Sequence, residues 1–251
     1  MRFIIRTKGD GYGNSIKAGI IRMLKESGAE YTGEIEPSCD FMIVIGGDGT
    51  LLRDQWKADC PVLGINPGES IGFYMAANDK DYRKKLGLLL HGKKGRDFFI
   101  HPLSRLRTEL NGRKLPQPAL NDVLVSPIYV RRILESRLSA KGKKSIERNS
   151  GIIVYTPTGS HAFAHSAGAK TMRYGSPGFG VAGIAPYSGS LKRGEMLIRK
   201  GSVEIECLSD SGEVCVDGSE VILKQIKKGD VVRVQKSPKP LMLVGFSKRF
   251  D

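Results

Sequence analysis

The apolar positions near the start of the chain come in short runs with turn residues between them. Residues 2–6 (RFIIR) predict a short strand, and Gly9, Gly11 and Gly13 then break it as a loop able to reach toward phosphates. From Asn14 onward Ile16, Ile20, Ile21 and Leu24 recur at helical spacing, with Asn14 or Ser15 as cap and Gly28 as stop. The uninterrupted run 41–45 (FMIVI) predicts a strand buried on both faces of a parallel sheet, and 61–65 a second one. Tyr82, Leu86, Leu89 and Leu90 predict a further helix, with Asn78 as candidate cap and an end near Gly92. Strands alternating with helices predict an α/β N-terminal domain with a parallel, Rossmann-like sheet.

Beyond the basic loop of Lys93, Lys94 and Arg96 the period shortens to two. Residues 203–207 (VEIEC) alternate strictly, Gly212 and Asp217–Gly218 punctuate the next strands, and 231–234 alternate again. One helix start, inside 156–168, is all that interrupts this texture, so an all-β C-terminal domain is expected. The expected domains are 1–97 and 98–235, and the apolar tail within 236–251 (LMLVGF) either closes the second or returns to the first.

Composition narrows the function. The chain has 251 residues, with 40 Lys+Arg against 26 Asp+Glu and a net charge of +14. Such a surface attracts nucleic acid, anionic lipid or phosphorylated small molecules. Aromatics are 7 % and no nucleic-acid-binding motif is visible, so no specific nucleic acid is expected as partner. No run reaches the ~18 apolar residues of a membrane span, and MRFIIRTKGD lacks the long apolar run and cleavage site of a secretory leader. Cys39, Cys60, Cys207 and Cys215 form no CxxC pair and no zinc pattern with His. They read as buried free thiols, and a cytoplasmic protein without a membrane partner is expected.

The strongest chemical signal is Gly46-Gly47-Asp48-Gly49-Thr50 directly after the buried strand. Glycines let backbone N–H groups approach an anion, and a following helix start adds its dipole. A carboxylate in such a turn repels phosphate, so Asp48 must offset that by binding Mg²⁺ or by taking a proton from an attacking hydroxyl. The Walker pattern GxxxxGK[ST] is absent. A second segment follows the apolar strand 152–155: Thr156, Thr158 and Ser160 offer hydroxyls to a phosphate or base edge, and Ala162, Ala164, Ala167 and Gly168 leave room for a ligand. His161 and His165 would share a face of a helix, but no third ligand accompanies them, so the sequence designates no metal ligands.

These motifs together resemble the NAD kinases, as a prokaryotic or archaeal-type member. GGDGT is shared with related lipid kinases, but Gly64-Ile65-Asn66-Pro67-Gly68 ending in Ile71-Gly72-Phe73, Leu120-Asn121-Asp122-Val123, and Thr156-Pro157-Thr158-Gly159-Ser160 leading to Ser166-Ala167-Gly168 are similar to that family in order and spacing. The resemblance implies transfer of a phosphoryl group from ATP, or polyphosphate, to the 2′-hydroxyl of the adenosine ribose of NAD. It implies Mg²⁺ as cofactor and a homodimer or homotetramer. It makes Asp48 the catalytic base, and Gly46, Gly47, Gly49, Thr50 and Arg53 phosphate or dinucleotide contacts. NAD-binding positions become Asn121, Asp122, Arg132, Arg148, Ser150, Thr158, His161, Ala162, Phe163 and Ser166. Asp122 stands for a usual Glu, Ser150 for a usual Asp, His161-Ala162-Phe163 for Thr-Ala-Tyr, and Tyr187-Ser188 for Pro-His. A kinase acting on another hydroxyl, of a sugar, nucleoside or lipid, is the alternative. A basic nucleic-acid-binding protein is the alternative from another class.

Overall fold

The computed structural model describes residues 1–9, 11–36, 38–57, 59–68, 72–129, 131–248 and 250, and for Tyr12 and residues 220–222 the backbone only. The chain divides into two compact units, Met1–Pro102 with Leu241–Asp251, and Leu103–Pro240. The division falls a few residues beyond the expected 97/98 and 235/236, because 99–103 is a strand of the first unit's sheet.

In the first unit the elements are β1 (Arg2–Thr7), α1 (Gly11–Glu26), β2 (Glu30–Thr32), β3 (Phe41–Ile45), α2 (Asp48–Asp54), β4 (Val62–Asn66), β5 (Ala77–Asn78), α3 (Tyr82–His91) and β6 (Phe99–Leu103). The sheet runs β2-β1-β3-β4, then strand Leu241–Gly245, then β6, with β5 also on β4. β1 pairs in parallel with β2 and β3, and β4 in parallel with β3, β5 and the last strand. The apolar tail therefore returns to the first unit. Alternate residues Phe3, Ile5, Ile43, Ile45, Leu63 and Ile65 share a core with Ile16, Ile20 and Leu24 of α1 and Leu86 and Leu89 of α3. The intervening Ile4, Met42, Val44 and Val62 are buried as well, which is why these strands read as continuous apolar runs.

α1 begins at Gly11, earlier than its apolar spacing predicts, so Gly11 and Gly13 lie in its first turn and do not form an open loop. A glycine costs a helix about 1 kcal/mol, and the docked apolar face of α1 outweighs that. The stop is as expected: Gly28 has φ +65°, and the Ala29 N–H returns to Leu24 O at 2.9 Å.

The second unit is a β-sandwich of two antiparallel six-stranded sheets. One sheet runs 143–149, 134–140, 202–207, 231–236, 106–110, 113–114 and the other 196–198, 179–184, 151–155, 122–126, 212–216, 219–226. Inward residues of both, among them Leu138, Val203, Ile205, Val232, Val125, Ile152, Val154 and Val214, form one core. The helix expected inside 156–168 is only a 3₁₀ turn, Gly159–His161, and one α turn, Phe163–Ser166. Cys39, Cys60 and Cys207 are buried free thiols; Cys215 is only half-buried. No helix among the described residues is long and apolar enough to cross a membrane.

Candidate active site

The GGDGT turn sits where β3 leaves the sheet, beside the loop after β4. Gly46 donates its N–H to Ile65 O at 2.9 Å, and a side chain at Gly46 would collide with Thr50. Gly47 and Gly49 are exposed and open to solvent, so the backbone there is accessible to an anion. Thr50 is buried beneath the turn. Asp48, first residue of α2, reaches across to the neighbouring loop. Its Oδ2 accepts the Phe73 N–H at 2.7 Å and its Oδ1 the Tyr74 N–H at 2.9 Å. A Cβ at Gly72 would stand 2.9 Å from Asp48 Oδ1, so glycine at 72 is what lets this loop close on the carboxylate. The two motifs of the first unit are thus one structure, brought together because β3 and β4 are parallel neighbours. Ile71 of the second motif lies outside the described residues.

Arg53 projects from the same short helix, 43 % exposed, and pairs with Asp54 at 2.6 Å. Asp54 is fully buried and also holds Lys57 at 2.6 Å, with Arg6 at 3.7 Å. Burial pushes its carboxyl up, but the hydrogen bonds and charges of Arg53 and Lys57 outweigh that and hold it below the usual range. Arg53 is therefore anchored from within, by a residue that gave no motif signal.

In the second unit Tyr155 lies opposite Asp122 across an antiparallel pair, which joins the two other motifs. Thr156 N–H donates to Asn121 O at 2.9 Å, and the Thr156 and Thr158 hydroxyls donate to Leu120 O at 2.6 and 3.2 Å. A side chain at Gly159 would collide with the Asn121 backbone. Ser160 donates to Pro157 O at 2.6 Å. Thr156, Thr158 and Ser160 are at most 2 % exposed. Contrary to expectation, their hydroxyls, that of Thr158 included, build the turn and do not line a ligand surface: each donor is already committed to a backbone carbonyl.

The opposite edge of the 120–122 segment rests on Asp217. Its carboxylate accepts the N–H groups of Leu120 at 2.8 Å, Asn121 at 2.7 Å and Asp122 at 3.1 Å. Asp122 is 6 % exposed. Burial, and then the charge of Asp217, push its carboxyl up to about 7. Burial also raises Asp217, but its backbone donors favour the ionised form, so Asp217 is the member of the pair that keeps its charge.

The remaining expected positions spread over the same unit. His161 lies against the Tyr174 ring, with Nε2 3.0 Å from Met172 O; Ala162 is half-buried, and Phe163 and Ser166 are exposed. The backbone breaks at Ala162 (φ −105°, ψ −133°), so His161 and His165 do not share a helical face. Arg132 and Arg148 line one cavity of about 530 Å³ with Tyr129, Glu135 and Asp210. Arg148 there donates to Glu135 at 2.7 Å. Ser150 is half-buried and donates its N–H to Ile184 O. Sequence reasoning missed Glu147, which is fully buried and accepts the N–H groups of Ser190 and Leu191 at 2.8 and 3.1 Å, shaping the turn after Tyr187. Its inward place in the alternation of 143–149 was the available signal.

A family model described as the ATP-NAD kinase C-terminal domain matches residues 120–246, and one described as the ATP-NAD kinase N-terminal domain matches 25–94. An NAD kinase of Thermococcus gammatolerans is 33 % identical over 215 residues, 83 % of this chain and 74 % of that one. An NAD kinase of Thermoplasma volcanium is 30 % identical over 214 residues, 84 % of this chain and 75 % of its own. The crystal structure of an NAD kinase from Archaeoglobus fulgidus in complex with ATP superposes with a TM-score of 0.78 at 25 % identity, covering 100 % of this chain and 96 % of that one. With GGDGT and its clamping loop in one unit, and the joined 120–122 and 156–160 segments in a β-sandwich, the chain belongs to the NAD kinase family.

Proposed function

We propose that this protein transfers the γ-phosphoryl group of ATP to the 2′-hydroxyl of the adenosine ribose of NAD, making NADP. The observation that carries the reading is the carboxylate of Asp48, held by two backbone N–H groups inside a glycine turn whose open backbone suits phosphate. Asp48 takes the proton of the 2′-hydroxyl as its oxygen bonds to the γ-phosphorus. The bond from that phosphorus to the β,γ-bridging oxygen breaks, and ADP leaves with the electron pair. Asn121 and Asp122 are the proposed ribose contacts, the carboxyl of Asp122 accepting from hydroxyls when ionised. Arg53, Arg132 and Arg148 supply positive charge for the phosphates, with Phe163 an exposed apolar face for a ring.

Mg²⁺ characteristically takes one or two carboxylates and otherwise water and substrate phosphates. Asp48 would be the carboxylate beside the nucleotide-borne ion, which when bound neutralises phosphate charge. We also propose a cytoplasmic location and a homodimer or homotetramer, the latter supported by the exposed apolar side chains of Tyr129, Ile133 and Tyr187.

The test is a coupled assay with protein, ATP, Mg²⁺ and NAD, read by an NADP-specific dehydrogenase, with polyphosphate in place of ATP as a second arm. NADP formation with ATP is the expected result. Phosphorylation of another hydroxyl compound with no NAD turnover at any concentration would replace NAD as acceptor.

A further inference from the structure

The Asp217–Gly218 pair reads in the sequence as a turn, and in the fold it is one: Asp217 has φ +51° and Gly218 φ +64°, between strands 212–216 and 219–226. Its carboxylate nevertheless does not serve its own turn. It reaches a segment almost a hundred residues earlier and takes the N–H groups of three consecutive residues, Leu120, Asn121 and Asp122. Its own N–H donates to Asp122 O at 2.9 Å, so the grip is mutual. From the other side Thr156 and Thr158 hold Leu120 O, and the Thr156 N–H holds Asn121 O. Between them these contacts fix the N–H and C=O groups of the three residues. Three successive N–H groups converging on one carboxylate require a bent backbone, which strand pairing alone would not impose.

We infer that Asp217 is a positioning residue for acceptor binding: it sets the backbone of Leu120–Asp122 so that Asn121 and Asp122 present their side chains to the ribose of NAD. This rests on the proposed NAD kinase activity. One observation separates it from a purely structural role: the grip places a second acidic group beside Asp122, itself 6 % exposed, a residue that the core would bury more readily as a neutral one.

The test is steady-state kinetics of Asp217→Asn with NAD and ATP varied separately, against Asp230→Asn as control. Asp230 also sits in a turn of this unit, accepting the Lys227 N–H and the Asn111 side chain, each at 2.8 Å. An amide at 217 keeps the volume but can accept fewer N–H groups and brings its own NH₂ against one of them. The expected result is a KM for NAD raised about tenfold or more, as a small misplacement of a binding group produces. KM for ATP and kcat should stay within about threefold of the parent, and Asp230→Asn should lower Tm without moving KM for NAD. The parent's turnover of NAD tests the activity itself, independently of either variant. An unchanged KM for NAD in folded Asp217→Asn would overturn the inference. So would an equal rise in KM for ATP, the same rise in Asp230→Asn, or failure of Asp217→Asn to fold, each of which assigns Asp217 to the fold alone.

Discussion

At the scale of single residues, the carboxylates divide by what holds them. Asp48 accepts one backbone N–H on each carboxylate oxygen, so an amide there keeps one of those bonds and sets its NH₂ against the other N–H. Asp48→Asn is therefore expected to fold with a somewhat lowered Tm and to lose about 10²–10⁴-fold in kcat, the usual weight of a general base; near-normal turnover would remove Asp48 from that role. Asp122 makes a pH-dependent prediction. Its folded pKa, about 7, lies above that of an unfolded aspartate. The burial penalty is thus absent below about pH 4 and complete above the folded value, so this group's effect on stability worsens as pH rises through that window. Asp122→Asn should gain Tm relative to the parent between those limits, and a difference in Tm that stays flat with pH would contradict it. Ser150 offers a neutral acceptor where the resemblance expects a carboxylate; a charged acceptor adds on the order of 1 kcal/mol, less than about tenfold in affinity. Ser150→Asp should lower the KM for NAD and leave kcat nearly unchanged, because binding at a remote end of the substrate is the same in ground and transition states. Asp48 was legible because a carboxylate among glycines is chemically odd. Asp54, Glu147 and Asp217 were not, because the groups they hold come from elsewhere in the fold.

At the scale of elements, two parallel strands and one antiparallel pair assemble the chemistry. β3 and β4 bring the GGDGT turn to the loop that ends at Phe73 and Tyr74, and Gly72 is the point of closest approach. Gly72→Ala places a methyl 2.9 Å from Asp48 Oδ1 and 2.7 Å from Met75 Cγ. The Met75 side chain can move, but the carboxylate cannot move without loosening its N–H bonds. We expect kcat to fall by about tenfold or more, with a Tm loss of only a few degrees, measured by calorimetry alongside the assay; full activity would show that this approach is not needed. The helix expected inside 156–168 shrank for a physical reason. Thr156, Thr158 and Ser160 turn their hydroxyls onto backbone carbonyls and so compete with helical pairing. Small residues at 162, 164 and 167 raised helix propensity, but tertiary contacts decided the outcome.

At the scale of the whole molecule, the excess of 14 positive charges suits anionic substrates. Any binding to DNA should be weak, blind to sequence and steeply lost as salt rises. Titration of a labelled oligonucleotide at two ionic strengths checks this, and tight sequence-specific binding at physiological salt would argue for a nucleic-acid partner. Much of the architecture comes from local pattern. A continuous apolar run as short as 41–45, bounded by turn residues, reads as a strand covered on both faces, and strict alternation such as 203–207 as a strand with one face on a core, so an α/β half and an all-β half could be read directly. The GGDGT turn could be read too, because its chemistry lies in five consecutive residues. The destination of the tail at 241–245 could not, since an apolar strand pairs as well with either sheet until the register with β4 is made. Nor could the grip of Asp217 on residues 120–122, or the burial of the Thr158 hydroxyl. Hydrogen bonds between residues far apart in the chain leave no period in the sequence, and only the packed fold decides which donor meets which acceptor.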